Sequence, residues 1–497
     1  MKIFSEKEKM KTLSIVVLFC ITILLLYFIW EDSMFKKDNF SLNAVNIEEK
    51  NEEAVVNTTA DFLEPFRIRI NFGGGKYTVL YTGFNSVWQN FISAYREASQ
   101  QEIYVEEILP SQWNEVLNYE SVKFDFGSNI PYNAMAEIIN ANKNQTNEII
   151  EIFSSAAYSE VSPESFFIYD DKNKKYYQII CEKEYKDVLE PISTIEKRNV
   201  YDIYNPINTF FGVENNNLMP HSLKNSVQEI SGEQEIHYYE TGKINAIAET
   251  FFGESFDFVR KIVETNGTVI YMYGYGQKMF IVDSRGFLEY KQEINDMNNS
   301  SNDYLKSLSS AIEFIKNHGN WKTLNGTNIY PYLKDSIVVE KNNKTGYRFI
   351  FQYRINGYPV SYQGNNSALE VEVIGNQITY YKRYLLDQKD TLQFMTNSNQ
   401  DYESNVMSTV NILNNSYEYI KEAYIKEGYD FGEKSKLEIF NEVVGLIYRV
   451  DVGYLSYERR HYEEEIQLIP VWIFTTDKYE FFFDARSGNP IDWKALR

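Results

Sequence analysis

Few side chains in this sequence stand at spacings that support catalysis. The chain has four histidines, and no two have the spacing of metal ligands or of an HExxH motif. No GxSxG motif occurs, and a Ser-x-x-Lys match at Ser33 and Lys36 lies beside a predicted membrane helix, where no catalytic pocket can form. Cys181 lies in a β-rich segment, which favours a core cysteine over a nucleophile activated by His221 or His237.

Clustered carboxylates are the other possible source of chemistry. Glu463, Glu464 and Glu465 follow Arg459 and Arg460 between two predicted strands. A glycosidase pair or a cation site is one interpretation, but a solvated hairpin tip is the one we favour. The sequence therefore predicts no catalytic residue, no metal and no cofactor, and the protein is not expected to be an enzyme.

Composition and charge restrict the class of protein further. The 497 residues include 49 Lys+Arg against 70 Asp+Glu, which gives a formal net charge of −21. No basic stripe of the kind that binds phosphate backbones is present, so nucleic acid is excluded as a partner. Two cysteines exclude a disulfide scaffold or a cysteine-based zinc module, and 43% hydrophobic residues are enough to form cores. On a prior of about 150 residues per domain, the length predicts roughly two to four domains.

Residues 13–30 carry no charge, glycine or proline, and as a helix they would be about 27 Å long, close to the thickness of bilayer hydrocarbon. No small-x-small cleavage site follows, so we predict an uncleaved membrane anchor and not a signal peptide. Lysines in the first residues place the N-terminus in the cytoplasm and the bulk of the chain outside it.

The anchor also supplies the candidate partner contacts. Tyr27 and Trp30 suit the membrane interface, and Ser14, Cys20 and Thr22 are its small or polar positions. We predict that these five residues anchor the chain and contact neighbouring helices. For Ser14, Cys20 and Thr22 the alternative is mere tolerance by lipid.

The remainder is predicted to be α+β, with antiparallel meanders packed against helices. Period-two alternation predicts a strand at 66–72, then a turn at Gly73, Gly74 and Gly75, then a second strand at 77–81. Apolar spacing predicts a helix over 246–264, and a weak internal repeat of helix plus meander in the last part of the chain. The predicted segments are a cytoplasmic tail (1–12), the transmembrane helix (13–30), a stalk (31–58), and three folded domains (59–210, 211–300 and 301–497).

Several segments of the second and third folded domains resemble the YycH family. The residues that carry the resemblance are Phe251, Phe252, Val259, Arg260, Glu264, Thr268, Tyr271 and Tyr273, the runs 286–290 and 346–360, and the closing runs 468–472 and 482–485 with Gly488. The closing runs are also similar to YycI. The resemblance covers roughly 236–493, whereas 31–235 match mainly in layout. These motifs are packing signatures, so no functional residue is transferred from them.

The resemblance implies regulation. Proteins of the YycH family act with YycI on the sensor histidine kinase WalK (YycG), which governs cell-wall metabolism in Gram-positive Firmicutes. We therefore expect a membrane-anchored regulator that contacts a WalK-like kinase and a YycI-like protein. The alternative is an envelope protein that binds peptidoglycan or another ligand without a kinase. An acidic body outside the cell is repelled by anionic wall polymer and lipid headgroups, which favours specific protein partners.

Overall fold

The computed structural model describes residues 58–142, 149–199, 201–223, 227–294, 303–388, 406–457 and 465–496, all within one compact unit. The predicted cytoplasmic tail, anchor and stalk lie outside these residues, apart from Thr58. Within the described ranges, no helix is both long enough and apolar enough to cross a bilayer.

An N-terminal sheet of nine strands forms the first layer. Its strands are β1 (Arg67–Asn71), β2 (Tyr77–Leu80), β3 (Ile103–Ile108), β4 (Ser121–Pro131), β5 (Ile152–Ser159), β6 (Ser165–Asp170), β7 (Lys175–Cys181), β8 (Ile203–Pro206) and β9 (Leu218–Ser222). They lie in the order β3-β7-β6-β5-β4-β1-β2-β8-β9. The predicted hairpin is confirmed, since Ile68 of β1 faces Leu80 of β2 and the three turn glycines have positive φ.

A C-terminal sheet of fifteen strands forms the second layer. Its strands are β10 (Ile230–Gln234), β11 (Arg260–Val263), β12 (Val269–Tyr273), β13 (Lys278–Val282), β14 (Leu288–Gln292), β15 (Tyr330–Lys341), β16 (Lys344–Ile355), β17 (Tyr358–Tyr362), β18 (Leu369–Ile374), β19 (Gln377–Arg383), β20 (Leu386–Gln388), β21 (Arg449–Tyr457), β22 (Glu465–Thr475), β23 (Tyr479–Asp484) and β24 (Pro490–Ala495). The main path runs β11-β12-β13-β14-β19-β18-β16-β17-β21-β22-β10-β20. β15 pairs with β16, and β23 joins β22 to β24. Only β17 and β21 pair in parallel among the described strands.

Helices cover the apolar faces of these sheets. They are α1 (Asn85–Ser99), α2 (Pro110–Val116), α3 (Tyr132–Ile138), α4 (Glu190–Arg198), α5 (Ile207–Phe211), α6 (Thr241–Phe252), α7 (Tyr304–Asn317), α8 (Thr409–Lys426) and α9 (Lys436–Gly445). Phe91 of α1 packs against Phe124 of β4 and Phe166 of β6, so the apolar face of this helix is buried on the N-terminal sheet. Tyr419 of α8 packs on Phe481 of β23. The architecture is α+β with antiparallel sheets, as expected.

The predicted helix over 246–264 is wrong in its second half. α6 ends at Phe252 because Gly253 adopts φ +53°, a left-handed conformation that cannot continue an α-helix. Residues 253–258 form a 3₁₀ turn, and Arg260–Val263 then pair with β12 as an edge strand. The apolar spacing of Phe252, Phe256, Val259 and Val263 imitated a helical stripe, although the β-branched residues suit a strand.

Near the predicted first domain border, the strands divide between the N-terminal and the C-terminal sheet. β8 pairs with β2 and with β9, so β8 and β9 both belong to the N-terminal sheet. β10 pairs with β20 and β22 of the C-terminal sheet. The borders at 210/211 and 300/301 stay predictions.

Candidate functional site: a buried ion network between the two sheets

A network of buried charged side chains lies where the two sheets meet. On β1, Ile68 and Ile70 face the buried side under α1, so the alternate residues Arg67 and Arg69 share the opposite face. Across the ladder, Asp125 of β4 stands opposite Arg67. Alternation along the two strands thus places charged side chains on the face that meets the C-terminal sheet.

Asp451 of β21 joins the sheets directly. Its Oδ1 accepts hydrogen bonds from Arg67 Nη1 at 2.6 Å and from the Tyr81 hydroxyl at 2.6 Å. Arg449 Nε lies 2.7 Å from Asp451 Oδ2, at an angle that gives an ion pair without a hydrogen bond. The Asp451 side chain is only 3% exposed, so this carboxylate is held entirely by groups of the chain.

Glu480 of β23 is the second carboxylate of the network. Lys334 Nζ lies 2.8 Å from Oε1, Arg449 Nη2 lies 3.3 Å from Oε1, and Lys494 Nζ lies 3.2 Å from Oε2. Lys494 of β24 stands directly opposite Glu480. Lys334 lies at a β-bulge of β15, where the pairing with β16 shifts by one residue and the side chain turns out of register. Burial opposes ionisation of Glu480, but the three cations outweigh it and hold its pKa well below the usual range.

Asp125 closes the network on the N-terminal side. Its Oδ1 is 2.7 Å from Lys123 Nζ, and its Oδ2 accepts from Arg67 Nε at 3.1 Å. Ser155 of β5 donates a further hydrogen bond to Oδ1 at 3.2 Å. Burial alone would raise the pKa of Asp125, yet Lys123 and Arg67 keep it well below its ordinary value.

This arrangement fixes geometry and offers no reacting group. Each of the three carboxylates is already bound by cations of the chain, so none is free to act as a general acid or a metal ligand. No group of three or more His, Cys, Asp or Glu in the described part of the chain could hold a metal ion. What the network can do is couple β1 and β4 to β21, β23 and β24, because separating the sheets would strip buried charges of their partners.

The sequence-predicted sites fall elsewhere. Ser14, Cys20, Thr22, Tyr27 and Trp30 lie outside the described residues, as do Glu463 and Glu464, while Glu465 begins β22. The predicted membrane contacts therefore stay predictions.

The reactive-type side chains are packed into the fold. Cys181 is buried at the end of β7, its Sγ lies 3.8 Å from Ile179 O, and burial raises its pKa to about 12, as befits a core cysteine. Of the two histidines weighed as its activators, the side chain of His237 lies 3.4 Å from Glu233 Oε1 and the ring of His221 stacks on Phe210. The His318 ring packs between Phe251 and Phe314.

Sequence reasoning missed the ion network. Its signal was present, since Asp451 and Glu480 interrupt otherwise apolar strands and Arg67 and Arg69 recur at period two on β1. An exposed polar face gives the same alternation, however. Only the packing of one sheet on the other shows that this face is covered.

No protein-family model matches the chain, and a search of curated proteins finds no match. Two solved structures are similar to it. The crystal structure of YycH from Bacillus subtilis has a TM-score of 0.48 and 11% identity, over 85% of this chain and 95% of that chain. The C-terminal domain of Bacillus megaterium YpeB has a TM-score of 0.25 and 10% identity, over 52% of this chain and 97% of that chain. A YycH protein is therefore among the solved structures to which this chain is similar.

Proposed function

We propose that this protein is a membrane-anchored extracytoplasmic regulator of a WalK-type sensor histidine kinase that controls cell-wall metabolism. It acts by protein–protein contacts, together with a YycI-like partner, and carries out no reaction of its own. The observation that carries the proposal is the set of YycH-like sequence motifs. The predicted anchor at 13–30 supports it by placing the chain beside membrane proteins, with its N-terminus in the cytoplasm.

The motif segments have a common location in the fold. α6, β11, β12 and β14 hold the first group, β16 and β17 the second, and β22 and β23 the closing runs, so all of them belong to the C-terminal sheet and its helices. Trp472 is buried and donates from Nε1 to Met407 O at 3.0 Å, and Phe482 and Phe483 are fully buried. The motifs thus build a scaffold, and contacts to partners belong to its surface.

The outer side of β11 is the surface best suited to a partner. β12 pairs with one side of β11, and no described strand pairs with the other side. Val263 at the end of β11 is 62% exposed, and Phe258 just before this strand is 79% exposed. Glu264 N donates to Thr268 O at 2.8 Å, so the backbone groups of Glu264 point toward β12. Because this direction alternates along an antiparallel strand, the N–H and C=O groups of Lys261 and Val263 point away from β12 and are free to pair with another strand.

The charge of this edge selects its partner. Arg260 and Lys261 are exposed cations, so pairing this edge with the same edge of a second copy would bring like charges together. We assign the edge to an extended acidic segment of a partner's extracytoplasmic domain, added as a further strand.

Co-purification from membranes tests the proposal. The full chain should retain a co-expressed WalK-like kinase and a YycI-like protein. Lys261→Pro removes an outward N–H without breaking the β11–β12 ladder, so it should abolish extracytoplasmic pairing. Lys261→Ala removes the same charge but keeps the N–H, so it should weaken pairing less. Failure to retain either protein in the unaltered chain refutes the proposed function. Equal retention by both variants refutes only the assignment of the edge.

The anchor and topology are tested separately. Replacing 13–30 with an unrelated transmembrane helix should weaken retention of the kinase if Ser14, Cys20, Thr22, Tyr27 and Trp30 contact its helices. Protease added to intact wall-stripped cells should remove a C-terminal tag and spare an N-terminal one. Loss of the N-terminal tag from sealed cells would contradict the predicted orientation.

A further inference from the structure

Two like charges face each other on the partly buried side of the N-terminal sheet. Arg69 of β1 stands directly opposite Lys123 of β4, and Arg67 lies two residues away on the same face. Directly opposed like charges destabilise an antiparallel pair of strands, so this arrangement does not contribute to the stability of the fold. Locally unfavourable arrangements of this kind are expected at sites that bind a ligand.

No carboxylate of the described residues forms a direct ion pair with Arg69. Its Nε is buried without a hydrogen-bond acceptor, and its guanidinium contacts the Tyr77 ring, with Cζ 5.4 Å from the ring centroid. Asp125, the nearest carboxylate on this face, is already bound by Lys123 and Arg67. Burial lowers the pKa of Arg69 to about 10, although Tyr77 and Asp125 act in the opposite direction. Arg69 is therefore a partly buried cation whose Nε has no hydrogen-bond acceptor.

The surrounding network shares this imbalance. Its carboxylates are Asp125, Asp451 and Glu480, and its cations are Arg67, Lys123, Lys334, Arg449 and Lys494, to which Arg69 adds another. Positive charge thus exceeds negative charge in a mostly buried volume of a strongly acidic chain. Ion pairs within the network therefore leave cations in excess.

We propose that Arg69 and Lys123 form a binding site for a phosphate group, with Arg67 behind them and the Tyr77 ring at the side. A guanidinium offers two parallel N–H donors that match two phosphate oxygens, and an ammonium adds a point charge. A phosphate monoester carries close to two negative charges at neutral pH, which suits the surplus better than a single carboxylate does. The site is independent of the proposed kinase partnership.

Thermal unfolding of the full chain in neutral detergent tests the site. Inorganic phosphate should raise the unfolding temperature of the unaltered protein beyond the effect of chloride at equal ionic strength, because a ligand of the native state stabilises it. Arg69→Gln should abolish the phosphate effect. Arg260→Gln, which removes the same charge from an exposed strand, should preserve it.

Titration calorimetry with inorganic phosphate measures the affinity. Arg69→Lys keeps the charge but loses the paired donors, so it should raise Kd by about tenfold or more, the equivalent of one charged hydrogen bond. Arg69→Gln should fold at least as well as the unaltered chain without phosphate, since it removes a partly buried cation that has no direct ion pair. No phosphate effect in the unaltered protein, or an undiminished one in Arg69→Gln, overturns the proposal.

Two further ligands separate the sources of the phosphate. Glycerol 3-phosphate represents a soluble phosphate ester, and vesicles with phosphatidic acid represent a lipid headgroup. Binding of either one that is lost in Arg69→Gln supports the site and names its source. Binding that survives in Arg69→Gln places that ligand elsewhere and counts against the assignment. These measurements use the chain alone, so they stand or fall separately from the kinase experiments.

Discussion

Glu480 provides the sharpest test of the ion network. Its side chain is 3% exposed and lies within 3.3 Å of Lys334, Lys494 and Arg449. Glu480→Gln keeps the shape but leaves three cations facing one another without their shared carboxylate. Removing one partner from a buried pair typically destabilises by about 3–5 kcal/mol. Because Lys334 is 29% exposed and keeps some hydration, we expect the lower end, about 3 kcal/mol.

Urea unfolding measures this change. The midpoint of Glu480→Gln should fall at an unchanged slope. The control is Glu418→Gln, which breaks a pair with Lys421 in which Glu418 is 49% exposed, and it should lose at most about 0.5 kcal/mol. Removing the facing cation as well, in Glu480→Gln with Lys494→Met, should recover much of the loss because the repulsion is relieved. Equal losses in Glu480→Gln and Glu418→Gln, or a double variant that loses the sum of its single changes, would refute the reasoning.

The pH dependence gives an independent check. Since the folded state holds the pKa of Glu480 well below 4.5, its ordinary value, the carboxylate stabilises the fold fully above about pH 4.5. That contribution is lost as the pH falls toward the folded-state pKa, because the unfolded chain takes up the proton first. The unfolding free energies of the unaltered protein and Glu480→Gln should therefore converge on acidification. Parallel curves down to pH 3 would contradict the assignment of an ionised, buried Glu480.

Other predictions concern packing and reactivity. Gly127→Ala should destabilise the fold by about 1–3 kcal/mol in urea titrations, because the new Cβ meets Leu333 O of β15, whereas Gly242→Ala has open space and should not. Cys181, in a Cys20→Ser background, should resist a thiol reagent at pH 8 until the chain unfolds, since its pKa is about 12. Burial lowers the pKa of His318 below 6.5, so the neutral ring stabilises the fold fully above that pH, and the contribution falls on acidification because the unfolded chain is protonated first. His318→Leu should therefore lose less unfolding free energy than the unaltered protein between pH 7.5 and 5.5.

Local pattern predicted most of the elements and little of the site. The hairpin of β1 and β2 and the first half of the helix predicted over 246–264 follow from alternation, glycine position and helical spacing, which act over a few residues. The error at Gly253 arose because four apolar residues fit both a helical stripe and an edge strand. The partnership of Arg67 with Asp451 joins residues hundreds of positions apart, and no local pattern specifies such a pairing.

The ion network also changes how the acidity of the chain is distributed. Its cations outnumber its carboxylates and are mostly withdrawn from water, so the solvent-facing remainder is more acidic than the formal −21 indicates. A surface of that kind repels anionic polymers and headgroups over a Debye length, about 8–10 Å at physiological ionic strength. Approach is then favourable where cations are exposed, as at Arg260 and Lys261 on β11, or partly exposed, as at Arg69 and Lys123 on the N-terminal sheet. The β11 edge suits an acidic strand, and the pair Arg69 and Lys123 suits a phosphate group. The acidic surface thus disfavours general adhesion to the envelope, while these two cationic positions favour specific contacts.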